Sequence, residues 1–172
     1  MKNFIPNMYQ ESIYTIPYTL LKKRKIKCLL FDLDNTCVGW HDKKPNQKLK
    51  DLFNDLTNQG FKVIIFSNSP QKRLQQFRDL NVVLNYSSKK PFKHNFMKIL
   101  KKYKLQKSEV CIIGDQLFTD ILGGNRVGIV TCLVEPLTKE DFIFTKISRK
   151  LEGIIFEKMK KKGILIKGEF YE

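Results

Sequence analysis

Asp32 and Asp34 stand two residues apart in Asp32-Leu33-Asp34-Asn35-Thr36, directly after the apolar run Cys28-Leu29-Leu30-Phe31. A buried strand ending there delivers both carboxylates to the start of a loop, where one can attack a phosphorus atom while the other handles the proton. Such a pair is costly to place without a cation. Strand ends that merely turn also carry Asp and Asn, so the pentapeptide gains its meaning from three later segments: Ser67-Asn68, Lys89-Lys90-Pro91, and Gly114-Asp115 with Asp120 five residues beyond. Phosphoryl transfer through an aspartyl phosphate needs each of these groups. Asp32 and Asp115 can offer carboxylate oxygens to an octahedral Mg²⁺, while the Ser67 hydroxyl and the first backbone N–H groups of the next helix can hold a phosphate oxygen. Lys90 can neutralise both nucleophile and phosphoryl group. Asp34 can protonate the leaving alcohol and then activate the water that cleaves the intermediate.

Each residue also has a plainer reading. Ser67 alone is a capping or turn residue, Lys90 a solvated lysine with Lys89 and Lys93 as rivals, and Asp120 a first-turn residue that favours a helix dipole. Their fall at successive strand ends favours the chemistry.

Those strand ends follow from the hydrophobic pattern. Residues 27–32 read as a buried first strand, and Leu49, Leu52, Phe53 and Leu56 give a helical stripe from about Asn46 to Asn58, closed by Gly60. A second strand, Phe61–Phe66, stops at Ser67-Asn68; Ser69 as N-cap and Pro70 at the first helical position then predict a helix to about Leu80. Val82–Tyr86 is a weaker strand, followed by a helix presenting Phe96, Ile99, Leu100 and Tyr103. Glu109–Ile113 is a fourth strand, a helix from about Phe118 leads to Gly128, and Ile129–Val134 is a fifth. This alternation predicts an α/β fold, a five-stranded parallel sheet with helices on both faces. Right-handed crossovers bring every strand's C-terminal end to one edge, where such sheets bind ligands.

The 172 residues, 42% of them hydrophobic, suit one domain with a single substantial core. Within it, residues 1–26 form an N-terminal amphipathic and basic segment, 27–134 the core, and 142–172 a C-terminal helix and tail with Ile147, Leu151, Ile154 and Ile155 on one stripe. No apolar run approaches the roughly 18 residues of a membrane span and no secretory signal is legible, so a cytoplasmic protein, free or peripheral on the membrane surface, is expected. The four cysteines lack CxxC spacing, and His41 and His94 stand alone, so neither zinc nor a disulfide is expected. The net charge of +15 invites a polyanion. Nucleic acid is the weaker candidate, because the charge is mostly Lys spread over nearly every polar face.

The constellation resembles the haloacid dehalogenase superfamily of phosphatases from Lys27 to about Val134: DxDxT, a Ser after an apolar strand, Lys-Pro and GDxxxxD occur in that family's order. The resemblance favours Lys90 over its neighbours, through Pro91. It implies that Asp32 is the nucleophile and Asp34 the general acid and base, and that Mg²⁺ binds Asp32, Asp115 and the backbone carbonyl of Asp34. Asp120 then stands as a ligand or one layer behind, and Ser67, Asn68 and Lys90 hold the phosphate. Superfamily cap domains follow the first motif or lie between the second and third; here Thr36–Ser67 and Ser67–Lys90 leave no room for one.

A closer resemblance is to the YqeG family of the capless subfamily IIIA, similar to mitochondrial phosphatidylglycerophosphatases. It rests on the first motif with Trp40 just downstream, Ser67-Asn68, Lys90-Pro91, residues 114–121, Gly123-Gly124-Asn125-Arg126 and the Ile147–Glu152 helix; Cys37 departs from the larger aliphatic residue expected. It implies phosphatidylglycerophosphate or a related lipid phosphate as substrate, with a soluble metabolite, nucleotide or phosphoprotein as alternatives. A basic RNA- or ribosome-associated adaptor on an idle fold is a third reading, against which the intact residue set counts. A lipid substrate would give the basic ends a purpose, since each Lys or Arg near an anionic bilayer contributes about 1 kcal/mol. Residues 8–25 then either lie at the membrane interface, with Tyr9, Ile13, Ile16 and Leu20 inward, or pack on the protein's own core.

Overall fold

The computed structural model describes residues 2–138 and 143–170, the side chains of 143–149 excepted, so Ile147 of the expected C-terminal stripe lies outside the described residues. Six parallel strands form one sheet: β1 (Met8–Gln10), β2 (Cys28–Phe31), β3 (Lys62–Phe66), β4 (Val83–Asn85), β5 (Val110–Gly114) and β6 (Val130–Val134). Their spatial order is β1-β6-β5-β2-β3-β4. The helices are α1 (Tyr18–Lys23), α2 (Gln47–Asn58), α3 (Gln71–Leu74), α4 (Lys93–Lys102), α5 (Leu122–Val127) and α6 (Ile143–Lys161). Among the described residues no helix is long and apolar enough to cross a membrane.

Strand alternation sorts the core into two layers. Leu29, Phe31, Val63, Ile65, Cys111 and Ile113 face one way and pack with Leu49, Phe53 and Leu56 of α2. Leu30, Ile64, Phe66 and Ile112 face the other way onto Phe96, Ile99 and Leu100 of α4. The side chain of Asn46 caps α2 by accepting from the Leu49 N–H at 2.9 Å, and Gly60, at φ +93°, ends the helix.

The structure departs from the expected pattern in two places that bear on the site. The sheet has six strands, because Met8–Gln10 pairs with Cys132–Val134. Met8, Tyr9, Ile13, Ile16 and Leu21 are buried, and Leu20 is half-buried against the same core. The N-terminal segment therefore packs on the core, and the interfacial placement of residues 8–25 is corrected: those side chains have no face left for a bilayer. The basic run Lys22–Lys25 is exposed just before β2, on the edge opposite the strands' C-terminal ends. The second departure is the predicted helix to Leu80, which breaks into the short α3 and a 3₁₀ stretch, Gln75–Leu80. Leu74, Phe77 and Leu80 recur every third residue and are all buried, a spacing that a 3₁₀ turn brings into one line and an α-helix only spreads across a broad face.

Candidate active site

Adjacent parallel strands β2 and β5 end together, with Phe31 in register with Ile113. Asp32 and Asp115 consequently emerge side by side. Asp120 joins them by an unusual local route: residues 117–121 form a π-helical turn that folds back beneath the end of β5. A Cβ at Gly114 would collide with the Asp120 carboxyl, so the glycine of GDxxxxD is the opening through which this carboxylate returns. Asp32, Asp115 and Asp120 are buried, with carboxylate oxygens within 4.8 Å of one another.

Lys90 reaches this cluster from the loop after β4. Its Nζ donates to Asp32 Oδ1 and to Asp120 Oδ1, both at 2.7 Å, with 1% of its side chain exposed. Burial works against the ammonium, but the carboxylates of Asp120 and Asp32 more than offset it and hold the Lys90 pKa above the usual lysine value. Lys89 and Lys93 are exposed. Asn68, expected on the phosphate, has its side-chain amide engaged on the Lys90 backbone: Nδ2 donates to the Lys90 carbonyl at 3.0 Å and Oδ1 accepts from the Lys90 N–H at 2.7 Å. Ser67 is buried at the floor of the site, its Oγ accepting from the Ser69 N–H at 3.1 Å.

Asp34 points the other way along the loop. Ser69 Oγ donates to Asp34 Oδ2 at 2.6 Å, and Arg73 donates from Nε and from a terminal nitrogen to Asp34 Oδ1 at 3.0 and 2.8 Å. Burial raises the Asp34 pKa; Ser69 and Arg73 pull it down and the Asp32 charge pushes it up, leaving it above the ordinary carboxylate value. Asn35 turns the chain at φ +61°, a conformation Asn tolerates, and is pinned from β6's outgoing loop by the Leu137 N–H at 2.9 Å and Thr138 Oγ1 at 2.7 Å.

Four carboxylates thus meet two cations, Lys90 and Arg73. Burial, with Asp32 and Asp115 close by, raises the Asp120 pKa against the pull of Lys90. A cluster of three carboxylate groups with an excess of negative charge and oxygen-only donors suits a hard divalent cation. Beside it lies a cleft of about 420 Å³ lined by Asp32, Asp34, Trp40, Ser67, Lys90 and Thr119. Between Thr36 and Ser67 the chain holds α2 and β3, and among the described residues no domain lies over the cleft.

Several contributors escaped sequence reasoning. Thr36 donates from Oγ1 to Asp115 Oδ1 at 2.9 Å, which explains the threonine of the first motif. Ser69 serves Asp34; the N-cap of α3 is Pro70, with no side-chain capping bond. Arg73 is one of two arginines, with Arg78, in a polar helical stretch and carried no local signal. Glu152 of α6, buried, accepts from the Phe118 N–H at 2.8 Å and holds the first turn after Asp115; the resemblance over Ile147–Glu152 was its only trace.

The family model described as "Mitochondrial PGP phosphatase" matches residues 1–138. The chain belongs to this family. It is 36% identical over 163 residues to "Probable phosphatase YqeG" of Bacillus subtilis, covering 94% of this chain and 95% of that protein. It is 28% identical over 179 residues to "Phosphatidylglycerophosphate phosphatase 1, chloroplastic/mitochondrial" of Arabidopsis thaliana, covering 93% of this chain but 49% of that longer protein. A predicted HAD-like family hydrolase from Porphyromonas gingivalis shares the fold at a TM-score of 0.54, with 12% identity over 74% of this chain and 98% of that one. The protein is a phosphatase of the haloacid dehalogenase type, with a six-stranded form of that fold and an acidic cluster suited to a divalent metal.

Proposed function

We propose that the protein is an Mg²⁺-dependent phosphomonoesterase that works through a phosphorylated Asp32, and that its substrate is phosphatidylglycerophosphate or a closely related lipid phosphate. The observation that carries the chemistry is the meeting of Asp32, Asp115 and Asp120 around Lys90 at the floor of an open cleft. Mg²⁺, held by Asp32, Asp115 and the backbone carbonyl of Asp34 with Asp120 as a direct or water-mediated partner, would neutralise the phosphate dianion that a carboxylate nucleophile otherwise repels. Lys90 and the Ser67 hydroxyl bind the remaining phosphate oxygens, and Asn68 contributes by holding Lys90 in place. Asp32 attacks phosphorus as the bond to the leaving alcohol breaks; Asp34 gives that alcohol its proton. The same carboxylate then takes a proton from water attacking the phosphoaspartate, which frees inorganic phosphate and restores Asp32.

Two features support a lipid substrate. The family model and the Arabidopsis relative both carry phosphatidylglycerophosphate phosphatase descriptions. The catalytic edge also exposes apolar side chains that a water-facing mouth does not need: Tyr86 is 44%, Phe92 65% and Leu137 46% exposed, all on loops leaving that edge. Exposed Lys43, Lys44, Lys72, Lys89 and Lys93 lie on the loops and helix starts of the same edge, together with Asp42 and a Glu135 that pairs with Lys167. Apolar contacts set among lysines suit an anionic bilayer, and peripheral attachment through this edge follows. A bilayer would also close the cleft that no cap covers.

Purified protein with Mg²⁺ and a panel of phosphomonoesters tests both parts. Asp32→Asn is expected to abolish turnover of every substrate; activity equal to wild type rejects the nucleophile. Short-chain phosphatidylglycerophosphate is expected to be preferred over sugar phosphates, nucleotides and phosphopeptides, and preference for any of these removes the lipid reading.

A further inference from the structure

Arg73 takes no part in the steps above, yet it is the most heavily engaged side chain at the site. We infer that Arg73 is a positioning residue that fixes which oxygen of Asp34 carries the catalytic proton and ties the acid to the loop bearing Trp40; the inference rests on the acid/base role proposed for Asp34.

The two Asp34 oxygens have different neighbours. Oδ1 accepts two N–H bonds from the guanidinium, whereas Oδ2 accepts a single bond from the Ser69 hydroxyl. A proton on Oδ1 would oppose two fixed donors. A proton on Oδ2 meets a hydroxyl that can rotate and accept. The guanidinium therefore reserves Oδ2 for proton transfer and locks the carboxyl plane, whose terminal torsion is otherwise broad and soft.

The remaining donors of the fork face the other way. One terminal nitrogen also reaches the Gly39 carbonyl at 3.1 Å; the other donates to the Asp42 carbonyl and to Gln76 Oε1, the latter at 3.0 Å. These two carbonyls bracket Trp40, which lines the cleft. The guanidinium packs over the Phe77 ring, 4.8 Å from its centroid, so the 3₁₀ stretch sets its position. Arg73 itself does not line the cleft and 14% of its side chain is exposed, so it acts on substrate only through Asp34 and the Trp40 loop. A planar, five-donor fork makes two bonds to Asp34 and one each to Gly39, Asp42 and Gln76 at once; an ammonium has only three donors, radiating from a single atom.

A positioned acid matters in proportion to how badly the leaving group needs a proton. The test compares kcat/KM, which reports steps through formation of the phosphoaspartate, for p-nitrophenyl phosphate and glycerol 3-phosphate in wild type, Arg73→Gln, Arg73→Lys and Asp34→Asn. The phenolate departs without protonation and the alkoxide does not. Arg73→Gln is expected to lose about 100-fold on the alkyl ester, within the range for general acid catalysis, and only a few-fold on the aryl ester. The ratio of the two values is insensitive to the fraction of folded enzyme. An unchanged ratio, whether both rates fall together or neither does, overturns the assignment, as does a ratio restored to wild type by Arg73→Lys, because charge alone would then suffice. Asp34→Asn separates this failure from that of the underlying reading. If it leaves the ratio unchanged, Asp34 is not the acid; if it collapses the ratio and Arg73→Gln does not, only the role of Arg73 falls.

Discussion

Lys90 illustrates how one buried cation holds the site together before any substrate arrives. Its ammonium contacts carboxylates from two different segments, so Lys90→Met leaves Asp32 and Asp120 buried without their counter-charge, at a cost of about 3–5 kcal/mol. A large drop in melting temperature, smaller when Mg²⁺ is present, is the expected result; a variant as stable as wild type without metal would contradict it. The same crowding predicts that Mg²⁺ raises the wild-type melting temperature and that a chelator lowers it, since binding to the folded state alone stabilises. In the acid role proposed for it, Asp34 sets the pH response. Its pKa is raised by burial, and an acid must be protonated to donate. With an alkyl phosphate, kcat/KM should therefore fall as pH rises through a value above the ordinary carboxylate range, which lies near 4. Removing Arg73, which lowers that pKa, should shift the fall to higher pH; a pH–rate profile in which the limb stays put would refute the electrostatic role. The gathering of Asp32, Asp34, Lys90 and Asp115 was legible because carboxylates and a lysine recur just beyond strand ends. Arg73 and Ser69 were not, because their partners come from another segment and a spacing rule sees only one chain segment at a time.

At the scale of the element, the turn after β5 determines whether three carboxylates or two gather at the candidate metal site. Gly114 leaves room for Asp120, and Glu152 of α6 holds Phe118 in place. Gly114→Ala should expel Asp120 and weaken Mg²⁺-dependent turnover far more than an alanine in a surface turn; Mg²⁺ titration of activity measures this. Glu152→Ala strands a part-buried N–H, costing about 1–3 kcal/mol in a denaturant melt. Apolar spacing located β2, β3, β5, β6 and α2 to within a residue or two, since those elements bury complete stripes. It missed the 3₁₀ stretch after α3 because Leu74, Phe77 and Leu80 also fit a helix, and missed β1 because its three residues offer too short a pattern to separate strand from coil.

Taken whole, the molecule has two unlike poles. One edge of the sheet carries the cleft with Tyr86, Phe92 and Leu137; the other carries Lys22–Lys25 on a well-packed base. A Tyr86→Ser/Phe92→Ser double variant should lose co-sedimentation with phosphatidylglycerol vesicles while still hydrolysing an aryl phosphate in solution. Retained vesicle binding would move any membrane contact to the basic pole instead. The net charge alone could not choose between these faces, because lysine is distributed over both. The four thiols lie inside the core, and burial pushes that of Cys28 up to about 12 and those of Cys37, Cys111 and Cys132 well above the ordinary thiol value. The native protein should consequently be silent toward maleimides, so a cysteine introduced at position 92 would accept a fluorophore alone and report, by its colour, the moment the mouth meets lipid.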